Sequence, residues 1–194
     1  YEAFKAIASQ HNFPPDFPSR EAGVELLSML LAHPGFYAVV AEADGRIVGK
    51  HRKIHTLTGA EGWSSPGETV SPIPVPPVGN VGLLICADAY TTTIASTLKA
   101  QGAQMLVSAA AWGPGMHGPD GEWERCSRET GLPLLVCNRT GIDRTLRFTG
   151  AESLVVKDGE RLCAFTSERS AIFLITWELE TQTCVMAEHR RVDL

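Results

Sequence analysis

The chain lacks the cysteine patterns that mark a disulfide scaffold or a zinc site. Its 194 residues include only five cysteines, an odd number, with no CxxC pair and no Cys/His cluster. Disulfide frameworks and structural zinc sites need paired or clustered ligands at short spacing. We therefore expect free thiols, no metal site and a reducing compartment, which here means the cytoplasm.

Long apolar runs and an excess of basic charge are also missing. The apolar runs are far shorter than the roughly 20 residues that span a bilayer, and no signal peptide is visible. The net charge is -5 and the charged residues are dispersed, so no basic stripe for nucleic acid exists. We expect neither membrane nor nucleic-acid partners. Because the chain begins with Tyr1 rather than Met, we also expect that its natural amino terminus lies further upstream.

The most informative stretch that is present is an apolar run ending on a cysteine. Residues 81–85 predict a buried strand, Cys86 follows it, and residues 93–101 predict a helix. A strand, a tight turn and a helix can present a nucleophile at the carboxyl end of a sheet strand, and helix-end N–H groups favour a thiolate there. Cys86 is therefore a candidate nucleophile. The alternative is a buried, unreactive thiol, which is common in proteins.

The rest of the pattern alternates strands with helices and then becomes rich in strands. In chain order we predict helices at 1–12 and 19–31, a hairpin of strands at 36–42 and 46–49, a long loop at 56–80 with a short strand at 73–75, the strand before Cys86 and its helix, a strand at 105–108, a loop at 112–120, a helix at 121–130, and strands at 132–137, 153–156, 161–165 and 171–178. This order indicates an α/β layered sheet.

Six blocks of the sequence, taken in order, resemble the carbon–nitrogen hydrolase (nitrilase) superfamily. Each block alone is a weak signal, but their shared order over about residues 45–180 makes the resemblance specific. It implies an α-β-β-α sandwich. The matching blocks are residues 49–55, 82–88, 102–112, 125–130, 138–141 and 148–153.

The resemblance implies a catalytic site built on a Glu–Lys–Cys triad. Cys86 would be the nucleophile, Lys53 the lysine, and Glu61 stands at about the spacing of an accessory glutamate. In such a site a thiolate attacks an amide or nitrile carbon, an ammonium group stabilises the developing charge and a carboxylate moves the proton. This chemistry needs no cofactor. The candidates for the substrate pocket are Trp112, Asp88 and Tyr90.

Each of these assignments has a structural alternative. Lys53 could be one solvated cation in a basic run, Glu61 an ordinary loop carboxylate, and Trp112 a core residue. Asp88 also fits a cap of the turn after the nucleophile. His51 and His55 are interpreted as polar strand residues, since no third ligand stands at metal spacing. We interpret the other cysteines as packing residues: Cys126, Cys137, Cys163 and Cys184.

The front of the chain departs from the family pattern. The family's base is a glutamate after a proline in an early strand, and residues 1–49 contain no Pro-Glu pair. Glu42 is a weak candidate to replace it. Residues 1–49 instead resemble the amino-terminal part of GNAT-type acetyltransferases, in the blocks 12–18 and 33–42. We therefore expect a hybrid, with a GNAT-like segment at 1–49 and a partial carbon–nitrogen hydrolase domain at 50–194 that lacks the family's amino-terminal strands.

The resemblance implies a cysteine-dependent hydrolase of a small amide or carbamoyl compound. Amides are favoured over nitriles because Ala87-Asp88 follow the cysteine where true nitrilases commonly carry Trp-Glu. One alternative is a chimera or pseudoenzyme that keeps cysteine and lysine without the base. A weaker alternative is an acetyltransferase-like binding module, although no acetyl-CoA pyrophosphate loop is present. The missing strands would expose an apolar edge, so we also predict homo-oligomerisation.

Overall fold

A computed structural model describes residues 38–43, 46–57, 61, 65–116, 118–143, 146–169 and 171–193. The helices predicted at 1–12 and 19–31 lie outside this part of the chain. Within it, no helix is both long enough and apolar enough to cross a membrane.

The described chain begins with an antiparallel hairpin, as predicted. Strand β1 (Ala38–Ala43) pairs with β2 (Arg46–Arg52). Strand β2 is longer than the predicted 46–49, so His51 lies within the strand and Lys53 follows directly after its end. The end of β2 therefore fixes the backbone position of the predicted lysine, Lys53.

A six-stranded sheet forms the centre of the molecule, in the order β10-β9-β6-β5-β4-β3. Strands β4, β5 and β6 are parallel, and the outer strands are antiparallel to their neighbours. A short hairpin of β7 and β8, which was not predicted, lies between β6 and β9 along the chain. The strands are β3 (Ile73–Val75), β4 (Gly79–Ile85), β5 (Met105–Ala110), β6 (Leu134–Asn138), β7 (Ile142–Asp143), β8 (Leu146–Arg147), β9 (Glu152–Lys157) and β10 (Glu160–Thr166).

Two helices connect the parallel strands and cover one face of the sheet. Helix α1 (Thr93–Ala100) links β4 to β5, and α2 (Glu122–Thr130) links β5 to β6. Leu98 of α1 and Trp123 of α2 have no exposed surface and share one core cluster with Leu84 of β4. Burying such side chains contributes roughly 1.5–3 kcal/mol each, so this layer is the main core of the described residues.

The opposite face of the sheet meets a second hairpin. Strand β11 (Ala171–Glu178), as predicted, pairs with β12 (Thr183–Asp193), which the sequence pattern did not reveal. Cys163 of β10 and Cys184 of β12 are buried together in a cluster on this side. The packing role predicted for Cys137 is wrong, because its side chain is exposed. It follows Val136, which faces the helix-side core, so strand alternation turns Cys137 to the other face.

The parallel register brings three loops to one edge of the sheet. Ile85 at the end of β4 aligns with Ala109 of β5, and Ala109 aligns with Cys137 of β6. The residues that follow these strands therefore meet at the carboxyl edge, where open α/β sheets place their ligands. The α/β layering inferred from the sequence is confirmed in this part of the chain.

Candidate active site

Cys86 lies at the point where β4 ends and the chain turns. It begins a short 3-10 turn (Cys86–Ala89), and its φ of 48° is in the left-handed region. A side chain in that region costs about 1–2 kcal/mol, so the surrounding structure must hold it there. The thiol is only 7% exposed and belongs to the helix-side core cluster. Strained backbone at a candidate nucleophile is typical of functional sites.

Opposing influences act on the ionisation of the Cys86 thiol. Burial raises its pKa most strongly, and the Lys53 ammonium is the next influence and lowers it. The backbone of Ala111 lowers the pKa by a hydrogen bond, the Glu61 carboxylate raises it, and the backbone of Ala87 lowers it. The net pKa lies above the ordinary value of a thiol. The structure therefore places both predicted charged residues where they act on this sulfur.

Lys53 and Glu61 form a buried ion pair. The Lys53 Nζ and Glu61 Oε1 atoms are 2.5 Å apart, and each side chain is about 6% exposed. The other carboxylate oxygen of Glu61 accepts a hydrogen bond from the Leu57 backbone at 2.6 Å. A buried charge without a partner is costly, so each member of this pair compensates the other and holds it in place. The alternatives of a solvated lysine and an ordinary loop carboxylate do not fit these contacts.

Asp88 is buried among protein hydrogen-bond donors and does not line a pocket. It has no exposed surface, and its carboxylate accepts hydrogen bonds from the Ile85, Ile54 and His55 backbone N–H groups at 2.8–3.0 Å. The His51 ring completes the set at 2.8 Å. These contacts contradict a substrate-binding role for Asp88, because its oxygens are occupied by protein donors. The bond to Ile85 fits the predicted cap of the turn.

The loops after β5 and β6 are tied together beside the cysteine. Asn138 Oδ1 accepts a hydrogen bond from the Trp112 N–H, and Asn138 Nδ2 donates to the Trp112 carbonyl, both at 2.9 Å. The Arg139 N–H donates to the Ala110 carbonyl at 2.9 Å. Ala111, whose backbone lowers the pKa of Cys86, lies between Ala110 and Trp112, which these hydrogen bonds hold in place. Sequence reasoning missed Asn138, although its place at the end of β6 was a usable signal.

The other two pocket candidates belong to a row of aromatic rings. Trp112 is 5% exposed and packs edge-on against Tyr90, with ring centroids 4.8 Å apart. On its other side it meets Trp123 at 5.3 Å, so Trp112 is a core residue. Tyr90 is only half-buried. Its pKa is raised, most strongly by burial and next by the nearby Cys86. Tyr90 is therefore close to the sulfur, and its role in a pocket stays a prediction.

A cavity of about 380 Å³ lies away from Cys86. It is mostly apolar and opens where β11 approaches the sheet. Its lining includes Val107, Leu135, Cys137, Phe165, Phe173 and Ile175. Cys86, Lys53 and Glu61 do not line this cavity, although Asn138 and two residues of the helix-side cluster, Val136 and Leu154, do.

The donors around Cys86 do not suggest a metal site. Among the described residues, no group of three or more His, Cys, Asp or Glu side chains is placed to hold a metal ion. His51, which is buried, bonds to Asp88, and His55 packs edge-on against Tyr90 at 5.5 Å. Both histidines therefore have protein partners. His51 lies within β2 as predicted, whereas the strand position predicted for His55 is wrong, because β2 ends at Arg52.

Comparison with known proteins identifies the family of this chain. The carbon-nitrogen hydrolase model matches residues 33–184, which is well over half of the sequence. The chain therefore belongs to the carbon-nitrogen hydrolase family. The match begins inside the segment that resembled acetyltransferases, and the comparisons do not show that acetyltransferase resemblance. The boundary at residue 49 stays a prediction.

The individual relatives are distant and longer. A probable nitrilase of Schizosaccharomyces pombe is 26% identical over 142 residues, which cover 71% of this chain and 50% of that protein. The deaminated glutathione amidase of Mus musculus is 27% identical over 175 residues, covering 80% and 53%. The crystal structure of Nit3 from Saccharomyces cerevisiae, a branch 10 member of the nitrilase superfamily, matches with a TM-score of 0.56 at 22% identity and covers 63% of this chain and 46% of that one. That likeness shows the fold, and the chain spans about half the length of the curated relatives it matches.

Proposed function

We propose that this chain carries the nucleophile side of an amidase site that cleaves a non-peptide C–N bond in a small amide or carbamoyl compound. The observation that carries the proposal is the buried Lys53–Glu61 pair acting electrostatically on Cys86. The Lys53 ammonium acts on Cys86 although the two residues are 33 positions apart in the sequence. A thiol buried only for packing needs no such neighbours.

The chemistry follows from the groups at the site. The Cys86 thiolate attacks the amide carbon, and the developing oxyanion is stabilised by the Lys53 ammonium and nearby backbone N–H groups. The C–N bond then breaks, ammonia or an amine leaves with a proton, and an acyl thioester remains. Water hydrolyses the thioester to a carboxylic acid and regenerates the thiol. Amides are preferred over nitriles because Ala87-Asp88 follow the cysteine, and the mouse relative is named as an amidase.

A competing proposal is a catalytically impaired chain that keeps cysteine and lysine without a general base. Two observations favour it: residues 1–49 contain no Pro-Glu pair that would supply the family's base, and burial raises the pKa of Cys86. Losing a general base lowers a rate by about 10²–10⁴-fold, so the two proposals differ measurably. Glu42 lies on β1, but its side chain is outside the described residues.

Ammonia release from a panel of small amides is the direct test. The panel contains short aliphatic primary amides and N-carbamoyl amino acids, whose hydrolysis releases ammonia. We expect release by the wild type and none above the uncatalysed rate by Cys86→Ala, because the thiolate is the attacking group. Cys137→Ser is the matched control, since its thiol is exposed on the opposite face and should leave the rate unchanged. Equal rates for the wild type and Cys86→Ala would contradict the amidase proposal.

A further inference from the structure

A buried carboxylate between the lysine segment and the cysteine turn has no role in the chemistry above. Asp88 Oδ1 accepts the N–H groups of Ile54 at 3.0 Å and His55 at 2.8 Å. Its Oδ2 accepts the N–H of Ile85 at 2.9 Å and contacts His51 Nε2 at 2.8 Å. Four donors thus converge on one side chain that has no exposed surface. We call this set of five residues the Asp88 brace.

The charge state of Asp88 follows from these contacts. Burial acts to raise its pKa, but the hydrogen bonds from His51, His55 and Ile85 outweigh burial and hold the pKa below its ordinary value. An ionised carboxylate can only accept hydrogen bonds, so His51 Nε2 carries the proton and donates it. A neutral Asn or an apolar residue could not accept from all four donors.

The brace joins the two segments that must be aligned for the reaction. Ile54 and His55 follow Lys53 directly, where β2 has ended and no strand partner accepts their N–H groups. Ile85 precedes Cys86 directly. The Asp88 carboxylate therefore links the backbone just after Lys53 to the backbone just before Cys86. Buried N–H groups without an acceptor would be costly. The carboxylate accepts from them and so fixes the position of the two segments relative to each other.

We infer that Asp88 is a positioning residue that sets the Lys53 ammonium against the Cys86 sulfur, with His51 as its supporting donor. This inference deepens the proposed function and rests on it for its catalytic meaning. Asp88 does not contact the reacting atoms and acts through the lysine segment and the turn. Its loss should therefore misplace a group that stabilises charge without changing the surface that binds substrate.

The test compares Asp88→Asn with the wild type by three measurements. Hydrogen exchange in the peptide 51–57 should quicken, because hydrogen bonds to a neutral amide are weaker than those to a carboxylate. Iodoacetamide labelling of Cys86, relative to exposed Cys137 in the same molecule, should slow at pH 8. In amide hydrolysis kcat should fall by about 10²-fold, the effect of a small misplacement, while KM stays unchanged.

A matched control separates positioning from stability. Ser127→Ala also removes a buried polar group. Ser127 lies on α2, and its Oγ donates a hydrogen bond to the Leu132 carbonyl at 2.8 Å. It should lower thermal stability without changing exchange at 51–57 or the Cys86 to Cys137 labelling ratio. If Asp88→Asn behaves like Ser127→Ala in both readouts, the positioning role is overturned.

His51 gives a second route if Asp88→Asn does not fold. His51→Leu removes one donor to Asp88 and should shift both readouts in the same direction as Asp88→Asn. His51→Gln keeps an N–H donor and should restore wild-type values. A His51→Leu variant with wild-type exchange and labelling would overturn the inference. If the wild type hydrolyses no amide, the proposed function fails, whereas hydrogen exchange still decides whether the brace holds the lysine segment.

Discussion

At the scale of single residues, the chemistry of the site depends on a balance at one sulfur. Burial alone would leave Cys86 an inert thiol, and the Lys53 ammonium is the largest influence in the opposite direction. Lys53 in turn is held in the interior by Glu61, whose carboxylate oxygen lies 2.5 Å from its nitrogen. Under the proposed function, the reactivity of Cys86 is thus set by the relative placement of three side chains rather than by any one of them.

Removing the lysine should make the thiol less acidic. In Lys53→Met the pKa of Cys86 rises further, because the charge that lowers it is gone, so the pH profile of iodoacetamide labelling should move to higher pH. The profile is measured by peptide mass mapping, since Cys137 also labels. Breaking the buried pair should cost about 3–5 kcal/mol of stability, because Glu61 is left without a partner.

The double variant Lys53→Met with Glu61→Gln controls for that loss of stability. It should recover most of the stability, because no uncompensated buried charge remains. Labelling of Cys86 should still require a higher pH than in the wild type, since the influence of Lys53 on the thiol exceeds that of Glu61. A wild-type pH profile in the double variant would show that Lys53 does not tune the sulfur.

At the scale of elements, close packing between helix α1 and the central strands fixes the strand that ends on Cys86. A Cβ at Gly82 would lie 2.9 Å from both Leu106 Cδ2 and Leu98 Cδ1. Contacts that short essentially never occur, so glycine lets the helix approach the strand. The position of the turn that begins at Cys86 is thereby tied to the core.

Gly82→Ala should therefore destabilise the protein by overpacking, by about 1–3 kcal/mol in urea unfolding. Adding Leu98→Ala removes one of the two crowding side chains, so the double variant should lose less stability than the sum of the single variants. Met116→Ala, on a side chain 92% exposed, should change stability by less than about 0.5 kcal/mol and serves as the neutral control. If the stability losses of the two single variants simply add up in the double variant, crowding against Leu98 is not what destabilises Gly82→Ala.

At the scale of the whole molecule, homo-oligomerisation stays a prediction, and β11 offers a way to test it. Ile172 and Leu174 on that strand are 46% and 49% exposed. Light scattering after gel filtration should give a mass above the 20.9 kDa of one chain. The double variant Ile172→Lys with Leu174→Lys should reduce the mass toward one chain if a second copy covers them, whereas Met116→Lys should not. A monomeric wild type would contradict the prediction.

The parts of the fold with a strong local pattern were predicted closely. The strand before Cys86, helix α1 and strand β11 agree with their observed bounds to within a residue or two. Strand β12 was missed because its eleven residues, with several charges, show no clean alternation. The β7–β8 hairpin was missed because two-residue strands carry almost no periodic signal.

The sequence by itself determined the family, the α/β layering and the identity of Cys86, Lys53 and Glu61 as candidates, because these depend on local pattern and on motif order. Only the tertiary structure decided the roles of Asp88, His51, Asn138 and Cys137. Those roles depend on which backbone N–H groups lack a strand partner and on which face of the sheet is covered. Several of these contacts join residues more than 20 positions apart, as His51 and Asp88 show, and no local pattern records them.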